Sequence, residues 1–307
     1  MRGCPYCIAG LTLAQALRRH GIPCTVFERD DSPEVRHQGW GVSIHSTLTT
    51  WEAHVLPEIY DRVCEAQVNP AVGRDEVRGV PWINGATGKV EQSVPKSKRL
   101  RLRRDGIRRA LMEGLDIKWG KRLVDIEKLE AGVRARFTDG TTTVGNVLVG
   151  ADGSMSMVRE FLAPTNHKLH RLPINALGCA VTMSEEQVAY FKDNVDPLYF
   201  MVDWPSVEWD NWNGTATLIG DAAHCMVIYR GEGVNHAIVD ACQLADTIKS
   251  AADGHMSMND AVREYEKEMR PRAREAVQTS RQAGHDGHCY SKVDKEGSFA
   301  LLGEKPV

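Results

Sequence analysis

The 307-residue sequence lacks any apolar run approaching the roughly 20 residues that a membrane-spanning helix requires. It also lacks a strong charge of either sign, because its formal net charge is -3. Bulk electrostatics therefore gives no reason to expect a nucleic acid or an anionic membrane as a partner. Internal repeats and low-complexity segments are absent as well. These absences predict a soluble globular protein.

The eight cysteines are spread along a chain that is too large to need disulfide bonds for its stability. We therefore expect free thiols in a reducing compartment. Residues 7–17 imitate a secretory signal, but they also show the pattern of an amphipathic helix that stops at Gly21. The strand predicted over 23–28 needs that helix as its crossover, so the helix is preferred and a cytoplasmic location is expected.

Hydrophobic periodicity divides most of the chain into helices and short strands. The predicted helices cover 8–20, 47–66, 105–115, 234–250 and 258–283. The predicted strands cover 23–28, 100–102, 117–119, 121–126, 133–137, 146–150 and 215–219. Residues 70–99 look irregular, with hairpin signals near Asn84-Gly85 and Thr87-Gly88. Alternating helices and strands indicate an α/β nucleotide-binding fold of the Rossmann type, with helices and sheet in three layers.

Three segments carry residues suited to binding a nucleotide cofactor. Glu28 ends the strand after the first helix, where a carboxylate can accept both hydroxyl groups of an adenosine ribose. Asp152-Gly153 and Gly220-Asp221 each follow a buried strand, where an aspartate can bind a polyol chain. The glycine-rich residues 231–233 lead into a helix whose N-terminal N–H groups suit an anionic or electron-rich ligand edge.

The order of Glu28, Arg104, Asp152-Gly153 and Gly220-Asp221 resembles the FAD-dependent aromatic hydroxylase and monooxygenase family. The resemblance runs from Ile8 to about Gln282, and residues 230–238 are especially similar to members that tailor secondary metabolites. It implies a single-component flavoprotein that uses FAD, NAD(P)H and O2. The implied substrate is an aromatic or polyketide-like small molecule, which the enzyme hydroxylates or epoxidises.

The resemblance also implies a role for individual residues. Glu28 would hold the adenosine ribose, Arg36 and Arg104 the sugar and phosphate portion, and Asp221 a ribityl hydroxyl group. The complete set of expected cofactor-binding residues is Gly10, Glu28, Arg36, Arg104, Asp152, Gly153, Asp221, Gly231, Gly233, Val234 and Asn235. The flavin itself performs the chemistry, so no catalytic side chain is assigned, and no metal site is expected.

The sequence departs from the family pattern in two places. Pro5 and Cys7 stand where the first two glycines of the phosphate-binding loop belong, and only Gly10 is retained. Few residues precede that loop, so the first strand of the fold is expected to be nearly absent. The region between the two aspartate segments is too short for the family's full antiparallel substrate sheet.

These observations lead to a predicted domain division. Residues 1–170 and 211–283 would form a discontinuous FAD-binding domain, with 70–99 as a candidate part of the substrate region. Residues 171–210 would be a shortened, antiparallel remnant of the substrate domain, and 284–307 a tail. Both departures suggest a truncated version of a longer ancestor.

Other interpretations of the same residues remain open. The chain could be a catalytically impaired remnant with a binding or regulatory role, or with none. Cys4 and Cys7 resemble a thiol-redox motif, but the surrounding chain does not resemble that fold. His224 could be a general base, although we favour a role in orienting its loop. His285, Asp286, His288 and Cys289 could ligate a metal, but a solvated segment explains them better. The basic residues between Lys96 and Arg109 could form a polyanion patch, but an exposed strand edge with one cofactor arginine explains them better.

Overall fold

The computed structural model describes residues 8–35, 41–69, 77–83, 90–168, 184–186, 209–227 and 230–287. The helices are α1 (Ile8–Arg19), α2 (Leu48–His54), α3 (Pro57–Glu65), α4 (Arg104–Met112), α5 (Met157–Leu162), α6 (Gly233–Ala252) and α7 (Met258–Gly287). The strands are β1 (Val26–Phe27), β2 (Gly41–Ile44), β3 (Val77–Ile83), β4 (Val90–Lys98), β5 (Leu100–Arg103), β6 (Ile117–Lys118), β7 (Leu123–Lys128), β8 (Val133–Phe137), β9 (Thr142–Gly145), β10 (Leu148–Gly150) and β11 (Ala216–Leu218). A 3₁₀ turn covers Gly220–Ala222.

Two pairs of strands are parallel. β1 pairs with β6, and β10 pairs with β11 in the register Leu148↔Ala216 to Gly150↔Leu218. The remaining ladders are antiparallel: β2 with β5, β3 with β4, and β7 with β8 and β9. The predicted α/β fold is confirmed.

Helices α1 and α6 lie between two hydrophobic clusters and contribute side chains to both. Leu13 of α1 and Leu244 of α6 pack in the first cluster, with the β7–β9 sheet and α7. Leu11 and Ile238 pack in the second cluster, with α2, α3, α4 and β5. Because both helices are buried on two sides, their positions determine where the loops at their ends lie. Within the described residues no helix is both long and apolar enough to span a bilayer.

Several element boundaries differ from the sequence prediction. The helix predicted over 47–66 is broken into α2 and α3, because Pro57 takes the first helical position and leaves Leu56 extended, at φ -63° and ψ 141°. β2 and β9 were not predicted. The strand predicted over 23–28 is regular only at Val26–Phe27. Helix α7 continues to Gly287, beyond its predicted end at residue 283.

Gly150 ends β10 at a point where no side chain fits. A Cβ atom added there would lie 2.6 Å from Cδ2 of Leu218 and 2.7 Å from Cβ of Val158. We expect Gly150→Ala to lower the free energy of unfolding by about 1–3 kcal/mol, because both neighbours are packed in the core. Urea titration measures the change. Gly145→Ala is the matched control, since its added Cβ would meet only a carbonyl oxygen at 3.7 Å; an equal loss in both variants would contradict the packing argument.

His54 of α2 has two hydrogen-bond acceptors, one within its own helix and one on α6. Its Nδ1 lies 2.7 Å from the carbonyl oxygen of Thr50 and its Nε2 lies 3.0 Å from a carboxylate oxygen of Asp246. Both partners can only accept, so both ring nitrogens carry protons. The hydrogen bond to Asp246 is the main reason why the pKa of His54 rises to about 10, and the same contact lowers the pKa of Asp246.

This pair predicts a pH-dependent contribution to stability. A histidine whose pKa is raised on folding contributes fully below its unfolded pKa of about 6.5, and the contribution is lost as the pH rises towards the folded value. His54→Gln should therefore reduce stability by about 0.5–1 kcal/mol near pH 6, a small value because Asp246 is more than half exposed. The deficit should shrink by pH 9.5. Urea titrations at both pH values test this, and a deficit that does not change with pH would refute it.

Candidate functional site

The two predicted aspartate segments lie side by side in the structure. The Asp152 loop (residues 151–156) leaves the carboxyl end of β10, and the Gly220 turn (residues 220–224) follows the carboxyl end of β11. The backbone N–H of Ile219 donates to the carbonyl oxygen of Gly150 at 3.0 Å, which continues the parallel ladder to the point where the loops diverge. This is the edge at which ligands bind in open α/β sheets.

The carboxylate of Asp152 is used within its own loop. It accepts hydrogen bonds from the backbone N–H of Met157 at 2.6 Å, from that of Val158 at 3.3 Å, and from the hydroxyl group of Ser156 at 2.5 Å. These donors are the start of α5, where unpaired N–H groups favour an acidic side chain. Asp152 therefore shapes the loop, and the buried Gly153, at φ 79°, completes its bend.

Arg159 joins the Asp152 loop to the Gly220 turn, a role that the sequence analysis did not assign. Its buried guanidinium donates to the carbonyl oxygen of Ser154 in the loop and, at 3.0 Å, to that of Ala222 in the turn. It also donates to His167, which follows α5. Five fixed donors suit a side chain that must satisfy several carbonyl groups at once.

Asp221 has surroundings that differ from those of Asp152. Its carboxylate is half-buried, and among the described residues no group donates a hydrogen bond to it. Burial raises the pKa of Asp221, while the positive charges of Arg104, His224 and Arg159 oppose that increase. Arg104 begins α4, so the fold brings together two residues that are 117 positions apart in the sequence and that were both expected to bind the cofactor.

Glu28 lies immediately after β1, at the carboxyl end of the other parallel pair. Its side chain is buried, and burial raises the pKa of the carboxyl group. One oxygen accepts from the backbone N–H of Asp30 at 3.0 Å. The carbonyl oxygen of Glu28 accepts from Lys121, which holds the residue against the loop after β6.

Gly10 allows α1 to approach the Asp152 loop closely. A Cβ at this position would lie 2.9 Å from the Cβ atom of Ala151. This is the close helix-to-strand packing that the third glycine of a dinucleotide-binding loop permits. Arg36, Cys4 and Cys7 lie outside the described residues, as do the side chains of the proposed alternative cluster at 285–289.

The glycine-rich segment lies at the start of α6. Gly231 is exposed and has a φ of 62°, while Gly233 and Val234 are the first two residues of the helix. The side chain of Glu232 does not cap the helix, so the first N–H groups keep their capacity to donate. The position of an electron-rich ligand edge at this helix start stays a prediction.

Asn235, predicted to face the ligand, uses its amide group inside the protein. Its oxygen accepts from the backbone N–H of His45 and from the hydroxyl group of Thr47, both at 3.1 Å. Its NH2 group donates to the carbonyl oxygens of Ser43 and Gly231, both at 3.2 Å. Asn235 thus fastens the segment after β2 to the start of α6.

A buried polar network, also missed by the sequence analysis, lies behind the Gly220 turn. Asp240 of α6 accepts from the backbone N–H of Gly220 at 2.8 Å, and its other oxygen accepts from Arg272 of α7 at 2.9 Å. The Nε2 atom of His224 lies 2.5 Å from the same Asp240 oxygen that Gly220 contacts. This contact ties the last residue of the turn to α6, and a loop-orienting role for His224 stays the interpretation that we favour. Within the described residues, no group of three or more metal-ligating side chains is present.

Comparison with known proteins gives a consistent result. The family model described as the FAD binding domain matches residues 7–200 and 206–280. Among curated proteins, FAD-dependent monooxygenase dbaB of Emericella nidulans is 30% identical over 337 positions, which cover 80% of this chain and 85% of that protein. FAD-dependent monooxygenase phnB of Penicillium herquei is 29% identical over 378 positions, covering 95% and 92%. That alignment is longer than the chain of 307 residues, so phnB has residues without a counterpart here.

Solved structures agree with the fold. Klebsiella pneumoniae HpxO, complexed with FAD and uric acid, has a TM-score of 0.67 at 18% identity and covers 97% of this chain and 91% of that one. Pseudomonas aeruginosa PqsL, in complex with 2-aminobenzoylacetate, has a TM-score of 0.67 at 18% identity and covers 97% of both chains. At these identities the likeness concerns the fold.

The network of Asn235 predicts a structural role that is independent of any ligand. Asn235→Ala removes the hydrogen bonds of the amide group and leaves the N–H of His45 and the buried hydroxyl group of Thr47 without an acceptor. We expect the ligand-free protein to lose about 2–3 kcal/mol of stability, measured by urea titration. The exposed Asn146→Ala serves as control. A loss below about 0.5 kcal/mol, the usual range of surface substitutions, would show that the network does not fasten the two segments.

Proposed function

Because the chain belongs to the FAD binding domain family of FAD-dependent monooxygenases, we propose that it binds FAD and uses NAD(P)H and O2 to oxygenate a small molecule. The substrate class that we propose is aromatic or polyketide-like, and the reaction is hydroxylation or epoxidation. The fungal relatives, and the 3-amino-4-hydroxybenzoate 2-monooxygenase PtmB3 of Streptomyces platensis at 28% identity, support a role in secondary metabolism.

The observation that carries this proposal is the carboxylate of Asp221. It lies at the carboxyl edge of a parallel strand pair, half-buried, with no donor among the described residues. A carboxylate in this position has its lone pairs available for the hydroxyl groups of a ligand, and a partly desolvated carboxylate gains from such partners. A ribityl chain supplies hydroxyl groups of this kind. The residues present therefore fit the flavin part of FAD.

Suitable residues are also present for the adenosine ribose, the phosphates and the isoalloxazine ring of FAD. Glu28 follows the second parallel pair and offers a buried carboxylate to ribose hydroxyl groups. Arg104, whose charge acts on Asp221, offers a cation to the phosphate portion. The N–H groups at Gly233 and Val234, which the Glu232 side chain does not cap, suit the electron-rich edge of an isoalloxazine ring. We therefore retain all the predicted cofactor residues except Asp152 and Asn235, whose side chains shape the site from within the protein.

When bound, FAD would supply the redox chemistry by taking a hydride from NAD(P)H and activating O2. The protein's own residues would bind and orient the cofactor and exclude water from it. Arg159 and Asp240 hold the Gly220 turn, which carries Asp221, and Asn235 holds the segment after β2 against the start of α6. These contacts fix the donors and acceptors before the ligand arrives, which reduces the ordering that binding requires.

We also propose the discontinuous domain division, with residues 1–170 and 211–283 in the FAD-binding part. The parallel pairing of β10 with β11 supports it, because the chain returns to the same sheet after residue 210. The short intervening segment would form the substrate region. The alignment with phnB extends over 378 positions, so that relative has residues without a counterpart here, as a larger substrate region would require.

The proposal is tested with the purified chain. FAD is added, the sample is desalted, and the visible absorbance spectrum is recorded. We expect a retained flavin band near one equivalent, followed by oxidation of NADH or NADPH that candidate phenols accelerate. A folded but colourless protein would overturn the proposal in favour of a remnant without flavin. Rapid NAD(P)H oxidation that yields only hydrogen peroxide with every phenol tested would overturn the substrate class but not the cofactor.

Asp221→Ala tests the residue on which the proposal depends. The variant removes the acceptor for the ribityl hydroxyl groups, so the dissociation constant for FAD should rise by about tenfold or more, the usual effect of losing a hydrogen bond to a charged group. Quenching of flavin fluorescence measures the constant. Asp125→Ala is the control, because that aspartate pairs with Arg136 on the surface of the β7–β9 sheet at 3.3 Å. Equal FAD affinity in both variants would remove Asp221 from the site.

A further inference from the structure

Asp240 holds the Gly220 turn at both ends with one carboxylate oxygen. Its Oδ2 atom accepts from the backbone N–H of Gly220, the first residue of the turn, at 2.8 Å. The same atom lies 2.5 Å from Nε2 of His224, the last residue of the turn. Asp221 lies between these two contacts. A shift of the Asp240 carboxylate would therefore move the backbone that carries the Asp221 side chain.

The carboxylate of Asp240 is itself held rigidly. Its Oδ1 atom accepts from Nη2 of Arg272 at 2.9 Å, and Arg272 is anchored in turn by Glu268 at 2.9 Å. Asp240 is fully buried, and His224 nearly so. Three donors to one buried carboxylate are enough to offset much of the cost of removing its charge from water.

The charges of the network are mutually compatible. The pKa of Asp240 is about 2, because His224 and Arg272 stabilise the ionised form against the opposing effect of burial. The pKa of His224 is raised by Asp240, also against burial. His236 faces Nη1 of Arg272 with its Nδ1 atom at 2.9 Å, so that nitrogen accepts and the ring is neutral. This agrees with a pKa of His236 lowered to about 3, with burial as the largest cause.

We propose that Asp240 is a positioning residue for FAD binding, which acts by fixing both ends of the turn that presents Asp221. This inference rests on the proposed function and goes beyond it, because Asp240 lies in the buried middle of α6 and acts on FAD only through the turn. The Asp240 carboxylate would determine how well the Asp221 carboxylate is aligned, whereas Asp221 would make the contact with the ligand.

A second buried network on α7 provides a matched control. Glu266 accepts from Nε1 of Trp209 and Nδ2 of Asn211, both at 3.0 Å, from the hydroxyl group of Thr217 at 2.7 Å, and from Nη2 of Arg270 at 2.8 Å. It is as well hydrogen-bonded as Asp240 and lies on the same helix as Arg272. None of these four donors belongs to the Gly220 turn, so losing the charge of Glu266 should affect the stability of the protein without moving Asp221.

Comparing Asp240→Asn with Glu266→Gln separates an effect on the alignment of Asp221 from an effect on general stability. The asparagine keeps the shape of the side chain, but its NH2 group must face either Arg272 or the N–H of Gly220, and either choice replaces an attraction by a repulsion. We expect the dissociation constant for FAD to rise at least about tenfold, while Glu266→Gln changes it by less than about twofold. At saturating FAD, the visible circular dichroism of the flavin should change in Asp240→Asn and stay as in the wild type in Glu266→Gln.

The outcomes are distinguishable. Wild-type protein that binds no FAD overturns the proposed function, and the positioning role with it. Wild-type protein that binds FAD, beside an Asp240→Asn variant of equal affinity and equal flavin dichroism, overturns the positioning role alone. Equal losses in Asp240→Asn and Glu266→Gln also overturn it, because the effect then follows general stability. If Asp240→Asn does not fold, His224→Gln replaces it, and an unchanged FAD affinity in that variant overturns the proposal.

Discussion

The parallel ladder between β10 and β11 determines how the candidate site is assembled. Neighbouring parallel strands end at the same edge of their sheet, so the loops that follow them leave from one place. The Asp152 loop and the Gly220 turn are 68 residues apart in the sequence, counted from Asp152 to Gly220, yet they lie together because of three residue pairs. Gly150 makes this possible, since any larger residue would meet both Leu218 and Val158.

Buried charges then fix the loops that the ladder has brought together. Arg159 donates to carbonyl groups of the loop and the turn, and Asp240 accepts from the two ends of the turn. A buried ion is costly unless several polar partners surround it, and both residues meet that condition. The same condition makes their positions rigid, because a displacement would leave a charge or a carbonyl group unpaired. The turn is therefore organised by the protein itself.

The sequence predicted the long helices and the buried strands well. It predicted short strands, and contacts between residues far apart in the sequence, poorly. α6 and α7 have enough turns for a periodic pattern to emerge, and the buried strands β10 and β11 stand out by composition. β2 has only four residues and is stabilised by β5, which lies nearly sixty positions away, so no local signal could reveal it. The break before Pro57 was readable, because a proline restricts the residue that precedes it. The contact between Asp240 and Arg272 depends on how α6 packs on α7, and periodicity carries no information about that packing.

Asp152 and Asp221 show why motif and geometry have to be combined. Both were expected to bind the cofactor because both follow a buried strand beside a glycine. In the structure Asp152 receives three hydrogen bonds from the start of α5, whereas Asp221 receives none from the described residues. A carboxylate that already accepts three hydrogen bonds gains less from another donor than a half-buried one that accepts none, which gains a charge-assisted bond with each hydroxyl group that reaches it. Burial raises the pKa of Asp221, and the nearby charges of Arg104 and Arg159 oppose that increase. The difference in hydrogen bonding is the reason why we propose that Asp152 supports the site and that Asp221 contacts the ligand.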